Sequence, residues 1–411
     1  LEKILEILEN INAVIMDSRD IKKNDLFLAI NNGNQHIGEA LENGAKYVIA
    51  DEPGSYESDA RVIKVPNTIS MIQNLAYSYV KKLKEEGLKI IAITGSNGKT
   101  TTKDFINAVL SQKLECLATL GNYNNHIGVP FMLLNLKRKH KVAIIEMGMS
   151  NFGEIDQLAK IAQPDFGIIT NIGDSHLEFL KNRENVFKAK TELFKYISSE
   201  NQIVYGEDPF LKKLKATKII LENFSDGLDG ASFRIFGEEY KIKLNGEYNA
   251  INAAMAVVIG KRFGLTPQEI KKGLNEAIIT HMRFEKIDRE NRLFINDAYN
   301  ASPISMKKSL KTFSEVYKNN KNIAVLGDML ELGENEIDFH KNVLLEALKL
   351  NIEKIYLYGP RMKKAADLIQ NDKLKCFENK EEIKSLLLEE KEKVNIFLKG
   401  SRGMRIEEVI A

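Results

Sequence analysis

The stretch Ile90-Ile-Ala-Ile-Thr-Gly-Ser-Asn-Gly-Lys-Thr-Thr-Thr102 constrains what this chain can fold into more than any other. An apolar run of strand length breaks at Gly95, turns through Gly98 and restarts with Phe105, Ile106, Val109 and Leu110 at helical spacing. Glycines let the backbone turn tightly, its amide N–H groups face inward, and the next helix presents its positive end to an anion. Lys99 adds a mobile cation, and the Thr100 hydroxyl suits a Mg²⁺ ion held by the same phosphates. Gly95, Ser96, Asn97, Gly98, Lys99, Thr100 and Thr101 therefore read as a nucleotide-phosphate cradle. Only Ser96 and Asn97 separate the glycines, against four residues in the common P-loop, so the cradle indicates phosphate without choosing a P-loop family.

At 411 residues the chain exceeds one ordinary core and points to two or three domains. The expected fold class is α/β in three domains: 1–86, a central P-loop domain with a mainly parallel sheet (87–285), and a doubly wound, Rossmann-like domain (286–411). In the first, short apolar runs at Leu26–Ile30, Tyr47–Ala50 and Arg61–Val65 precede a capped helix over 67–86, and the stretch from Asn31 to His36 reads as a ligand-holding loop. In the second, Val142–Ile145 and Phe166–Thr170 have the continuous apolar character of buried parallel strands, 183–197 reads as a helix, and 201–245 carries short strands before a helix from Asn249 to Phe263. In the third, strands at 293–295, 322–326, 354–358 and 394–398 alternate with helices near 304–318, 337–350, 361–370 and 380–391.

Composition excludes several function classes. Lys+Arg at 59 against Asp+Glu at 57 leaves a formal charge of +2, which calls for neither nucleic acid nor a membrane surface. No apolar run approaches the ~18 residues of a membrane helix, so no membrane insertion is expected. Leu1–Glu9 reads as an amphipathic helix rather than a signal peptide. Cys116 and Cys376 stand far apart without metal spacing and read as buried or idle thiols in a reducing, cytoplasmic compartment.

Phosphoryl chemistry needs metal ions on the nucleotide, and ligands bind open α/β sheets beyond the carboxyl ends of their strands. Glu146 and His176 follow two such strands and are the candidate metal ligands. Lys190, on the helix after them, reads by itself as a surface lysine.

Several motifs together resemble the ATP-dependent Mur ligase family, in the branch that adds a dipeptide. They are Thr94–Thr102, Gly121-Asn-Tyr-Asn-Asn-His-Ile-Gly-Val-Pro130, Glu146-Met-Gly-Met149, Thr170–Glu178, Lys188-Ala-Lys-Thr-Glu192, Asp297-Ala-Tyr-Asn-Ala-Ser-Pro303, Leu326-Gly-Asp-Met-Leu-Glu-Leu-Gly333 and Lys399-Gly-Ser-Arg-Gly-Met404. The resemblance implies an ATP-dependent ligase that joins D-alanyl-D-alanine to UDP-N-acetylmuramoyl-tripeptide through an acyl phosphate. That is a cytoplasmic step of peptidoglycan synthesis, on which cell shape and division depend. It implies that Lys99 binds the β,γ-phosphates, that Thr100 and Glu146 hold one Mg²⁺, and that His176 with a carbamylated Lys190 holds a second. Asn249 would lie near adenine, Arg283 at the γ-phosphate and Asp297 at the ribose; Lys99, His176, Lys190 and Arg283 form the catalytic set.

The UDP-sugar would meet Asp17, Ser18, Arg19, Asn34 and His36 in the N-terminal domain. Asn34-Gln35 stands where the family leads one to expect Asp-Gly before His36. Asn124, Asn125 and His126 would line the tripeptide side, and Asn300 and Ser302 the opening toward the last domain, which would close over ATP and take the dipeptide. A monomer is expected. The alternatives are a sister ligase adding one amino acid, a folate or cyanophycin-type ligase, a P-loop switch or kinase, and a nucleotide-sensing module.

Overall fold

Short apolar runs between polar turns form parallel strands through most of the chain. The computed structural model describes residues 2–410. Two units are assembled from alternating stretches: one takes in the chain through Thr94 with Leu114–Ile168 and Thr191–Gln202, the other Gly95–Lys113, Ile169–Lys190 and the chain from Ile203 onward.

In the first unit, β1 (Val14–Ile15), β2 (Leu26–Ala29), β3 (Tyr47–Ala50) and β4 (Val62–Lys64) form a parallel sheet in that order. Every residue of β2 is buried, as in a strand covered on both faces. Phe27, Ala29, Val48 and Ala50 share a core with Ile37, Ala40 and Leu41 of the helix Ile37–Glu42. The helix Thr68–Glu85 begins where Asn67 accepts a hydrogen bond from Ser70 N, the cap its sequence signals. The amphipathic N-terminal helix spans Glu2–Glu9 and buries Ile4, Ile7 and Leu8, and its expected first residue, Leu1, lies outside the described residues. The strands β5 (Lys89–Thr94), β6 (Cys116–Ala118), β7 (Val142–Glu146) and β8 (Phe166–Ile169) lie in the order β8-β5-β7-β6, and Ile93 of β5 stands opposite Glu146 of β7.

In the second unit the helix Lys99–Leu110 packs on the helix Glu247–Arg262, which is buried on every side from Asn249 to Gly260. The strands β9 (Gln202–Tyr205) and β10 (Thr217–Ile219) pair in parallel, and β11 (Asn223–Gly227), β12 (Gly230–Ile235) and β13 (Glu238–Ile242) form an antiparallel meander. The C-terminal sheet contains β14 (Glu285–Arg289), β15 (Arg292–Asn296), β16 (Lys321–Gly327), β17 (Lys354–Tyr358), β18 (Leu374–Phe377) and β19 (Val394–Lys399) in the order β14-β15-β19-β16-β17-β18. Only β14 is antiparallel to its neighbour.

The two-residue period of a strand sends alternate side chains to opposite faces, and both faces of this sheet are covered. Ile295, Ala324, Leu326, Leu357 and Phe397 pack under Met306, Phe313, Leu344 and Met362 of three helices, while Phe294, Val325, Tyr356 and Leu398 pack under Ile383, Leu387, Ile406 and Val409. This is the doubly wound arrangement expected from the alternation of strand and helix.

Three local expectations are corrected. Asn31–His36 is a 3₁₀ helix rather than an open loop, closed where Gly33 N donates to Ile30 O at 2.9 Å. The helix expected over 183–197 runs only over Arg183–Thr191 and tightens to a 3₁₀ turn at Glu192–Tyr196. There the Glu192 carboxylate accepts hydrogen bonds from Gly153 N and Asp156 N, drawn to the open end of the helix Glu154–Ala162. Of the two readings of the thiols, buried or idle, the first is corrected: both are free, Cys376 being exposed and Cys116 half-buried.

Candidate active site

Gly95 and Gly98 are required by close neighbours as well as by the turn. A Cβ on Gly95, at φ 146°, would lie 1.9 Å from Thr170 Oγ1, and one on Gly98, at φ 83°, 2.6 Å from Asn252 Oδ1. The two residues between them are clamped by the segment after β8. Ser96 N donates to Asn171 O (3.0 Å) and Asn97 N to Asn171 Oδ1 (3.1 Å), while Thr170 Oγ1 and Asn171 Nδ2 donate to Asn97 O (2.5 and 2.8 Å). Gly173 N donates to Ser96 Oγ at 2.9 Å, and Ser302 Oγ to Asn97 Oδ1 at 3.1 Å. Ser302 also caps the helix Pro303–Val316. The cradle is thus preorganised, and it leads through Gly98 into the N-terminus of the helix Lys99–Leu110, the positive end of a helix dipole. Lys99 Nζ folds back to Gly95 O at 3.0 Å.

Arg283 reaches the same place. Its Nη2 donates to Thr100 Oγ1 at 2.8 Å, and its guanidinium stacks on the Tyr299 ring, 4.2 Å from the centroid. Asp297 is engaged by its own surroundings: Oδ1 accepts from Phe284 N (3.1 Å), and Oδ2 from Ser309 Oγ (2.7 Å) and Lys399 Nζ (2.5 Å). Asn300 is exposed and its carbonyl accepts from Lys399 Nζ at 3.1 Å. Asn249 is buried, and its Nδ2 donates to Asn245 O at 2.7 Å, holding the turn that opens its helix.

His176 sits in the left-handed region at φ 54° and places Nδ1 2.8 Å from Glu331 Oε2, and this close approach of the imidazole lowers the Glu331 pKa below the usual carboxylate value. Nearby, Arg183 grips the buried Asp174 with two hydrogen bonds of 2.7 and 2.5 Å at the start of the helix that carries Lys190. Lys190 is not the surface lysine its sequence suggests. It is 1% exposed, and burial, with repulsion from Lys99, holds its amine well below the usual lysine pKa. Beside Glu331 a cavity of about 660 Å³ is lined by Leu177, Lys181, Glu331, Glu334, Phe339 and Arg361, among others.

The first unit holds the remaining candidates. Glu146, 4% exposed, accepts from Asn124 Nδ2 at 2.9 Å. Asn125 Oδ1 accepts from Ile127 N and Gly128 N and so starts the helix Gly128–Leu134, while His126 is exposed. Ser18 Oγ donates to Glu39 Oε2 at 2.6 Å, and His36 Nδ1 lies 3.3 Å from the same oxygen. Asp17 pairs with Arg19, which holds its carboxyl down to about 2, and Asn34 Nδ2 donates to Asp51 Oδ1 at 2.8 Å. Sequence reasoning left Asn252, Tyr299, Glu331 and Lys399 without roles, although the last three stand in quoted motifs, and it did not single out Glu39 or Asp51.

Among the described residues no three His, Cys, Asp or Glu side chains converge at metal-binding spacing. In the second unit the Thr100 hydroxyl and the His176 imidazole are donor types that suit an ion taking most of its ligands from nucleotide phosphates and water. The buried Lys190 amine, shifted by burial toward its uncharged form, has the chemistry a carbamate requires, because the uncharged amine is the form that adds CO₂.

Residues 93–260 match the Mur ligase middle domain and residues 282–402 the Mur ligase, glutamate ligase domain. A UDP-N-acetylmuramoyl-tripeptide–D-alanyl-D-alanine ligase of Bacillus subtilis is 37% identical, over 97% of this chain and 92% of that relative. The Rickettsia prowazekii protein of the same name is 30% identical, over 98% and 95%. A crystal structure of MurF from Acinetobacter baumannii superposes with a TM-score of 0.88 at 28% identity, covering 100% of this chain and 97% of that one. MurF from Thermotoga maritima in complex with ADP gives a TM-score of 0.84 at 26% identity, covering 98% and 97%. With the glycine cradle, its clamp and Arg283 in place, the chain belongs to the Mur ligase family, among its UDP-N-acetylmuramoyl-tripeptide–D-alanyl-D-alanine ligases.

Proposed function

We propose that this chain is an ATP-dependent ligase that joins D-alanyl-D-alanine to the terminal carboxylate of UDP-N-acetylmuramoyl-tripeptide. The observation that carries this reading is the hydrogen bond from Arg283 to Thr100, which brings a second cation to a preorganised phosphate cradle. A carboxylate does not react with an amine at neutral pH, so it must first be activated. Its oxygen attacks the γ-phosphorus of ATP, ADP leaves, and an acyl phosphate forms. The dipeptide amine then adds to the acyl carbon, inorganic phosphate leaves, and the amine proton is lost as the amide forms.

In this reading the cradle amides and Lys99 bind the β,γ-phosphates and Arg283 meets the negative charge that spreads over the transferring phosphoryl group. Thr100 and Glu146 would be ligands of one Mg²⁺ and His176 with Lys190 as its carbamate of a second, and such ions would supply positive charge against the phosphate oxygens. The Glu331 carboxylate lies against the His176 ring, Oε2 at 2.8 Å from Nδ1. Asn249 and Asp297 face the adenosine, Asp297 after exchanging one of its present partners for a ribose hydroxyl. Asn124, Asn125 and His126 serve the tripeptide, and Asp17, Ser18, Arg19, Asn34 and His36 the UDP-sugar, with residues 1–86, 87–285 and 286–411 as the functional domains. Asn300 and Ser302 flank the dipeptide's approach, and the cavity beside Glu331 sets Lys181 and Arg361 among carboxylates, a charge mixture suited to a zwitterion. The protein acts as a cytoplasmic monomer. The test is continuous ADP release: multiple turnovers should require the UDP-linked tripeptide and the dipeptide together, and multiple turnovers without the dipeptide would contradict an amide-forming role.

A further inference from the structure

Two left-handed residues bracket Arg283, Met282 at φ 61° and Phe284 at φ 54°. Neither is glycine or asparagine, and for other L-residues this region crowds Cβ against the carbonyl oxygen, so the surroundings must hold it in place. The turn that follows β15 does so. Phe284 N donates to Asp297 Oδ1 at 3.1 Å and Tyr299 N donates to Met282 O at 3.2 Å. The Tyr299 ring then supports the guanidinium at 4.2 Å. Arg283 Nε is buried without a hydrogen-bond partner among the described residues. The guanidinium is therefore aimed by a strained backbone and an aromatic ring more than by its own hydrogen bonds.

The turn has its own clamp. Lys399, 3% exposed, donates from Nζ to Asp297 Oδ2 at 2.5 Å, to Asp297 O at 3.2 Å and to Asn300 O at 3.1 Å. All three protons of the ammonium go to one four-residue turn, so none remains for a ligand.

We propose that Lys399 is a positioning residue for Arg283, acting through the turn from Asp297 to Asn300 and the Tyr299 ring, and that its effect is confined to the terminal phosphate of the nucleotide. The inference rests on the reading of Arg283 as the γ-phosphate ligand. It is tested by calorimetric titration of the full chain with Mg²⁺ and either ADP or the β,γ-imido analogue of ATP, in wild type, Lys399→Met, Tyr299→Leu, Arg283→Ala and the Lys399→Met/Arg283→Ala double variant. Lys399→Met and Tyr299→Leu should each weaken the analogue ~10-fold, the scale of one charge-assisted hydrogen bond, and leave ADP within ~2-fold. The double variant should bind the analogue no more weakly than Arg283→Ala. Lys399→Cys alkylated to an aminoethyl thioether, in a background lacking Cys116 and Cys376, should recover the analogue.

Equal losses for both nucleotides, or a double variant weaker than Arg283→Ala, would show a general structural role and overturn the proposal. If Lys399→Met does not fold, Tyr299→Leu decides by the same criterion. A wild-type protein that binds both nucleotides but forms no amide would end the ligase reading and leave this proposal standing.

Discussion

Arg283 Nη2 donates to Thr100 Oγ1 at 2.8 Å across 183 positions of sequence. The contact makes Thr100 an acceptor, with its own proton directed elsewhere, and brings a guanidinium to the mouth of the cradle beside Lys99. Lys99→Ala removes the cation proposed to bind the β,γ-phosphates, whose ammonium donates here to the Gly95 carbonyl. Ligation should fall by ~10³-fold, near the upper end of what one stabilising donor contributes. Circular dichroism should be unchanged, and a variant with full activity would refute the role.

Gly98→Ala sets two costs on the cradle. Its φ of 83° strains any other L-residue, and the new methyl meets Asn252 Oδ1 at 2.6 Å. The affinity for ADP should fall by ~10-fold or more for a local penalty of 1–2 kcal/mol. Adding Asn252→Ala should return part of the loss, because it relieves the clash and leaves the backbone strain. Isothermal titration of the single and double variants checks both statements.

Lys190 links stability to function with opposite signs. Its amine is held well below the usual lysine value of 10.5, first by burial and then by Lys99. Between the lowered value and 10.5 the unfolded chain binds more protons than the folded one, so this group's contribution to stability rises with pH and is least on the acid side of that window. Lys190→Met should remove the slope and stabilise the fold at pH 7 by about 1 kcal/mol, the scale of an unpaired buried polar group, while abolishing ligation. Bicarbonate should raise the wild-type Tm and leave that of the variant unchanged. Thermal unfolding across pH, with and without bicarbonate, reads both effects.

His340 is fully buried, accepts from Met329 N at Nε2 (2.8 Å) and donates from Nδ1 to Glu336 O (2.6 Å). It thereby ties the stretch that leads to Glu331 onto the helix Glu336–Ala347. Burial lowers its pKa below the usual 6.5. Its stability contribution is complete above about pH 6.5 and is lost as pH falls through the folded-state value. His340→Gln keeps an acceptor for Met329 N without the titration, so its Tm should fall less than that of the wild type between pH 7 and pH 5. Parallel slopes would contradict this assignment.

The elements most legible in sequence are those set by local chemistry. The glycine cradle, the Asn67 cap and the alternating strands of the C-terminal sheet all follow from neighbours within a few residues. Strands of two to five residues such as β1, β6, β14 and β18 are too short to show a period, and they form because adjacent strands supply hydrogen bonds. The resemblance to a family located Lys190, but only the fold shows that it is buried, with its amine pKa lowered by that burial, rather than a surface lysine. Glu331 and Lys399 were visible inside motifs, yet their partners His176 and Asp297 lie a hundred residues or more away, and pairing at that distance leaves no periodic signal. The same holds for Asn252 against Gly98.

The most direct test of the ligase assignment is the mass of the product. Purified protein is supplied with ATP, Mg²⁺ and UDP-N-acetylmuramoyl-tripeptide, together with either D-alanyl-D-alanine or single amino acids. The expected result is one new species, the tripeptide plus the dipeptide less one water, formed with one ADP and one phosphate and only when D-alanyl-D-alanine is present. Product from a single amino acid alone would assign the chain to a sister reaction, and ADP release without any adduct would contradict the ligase reading.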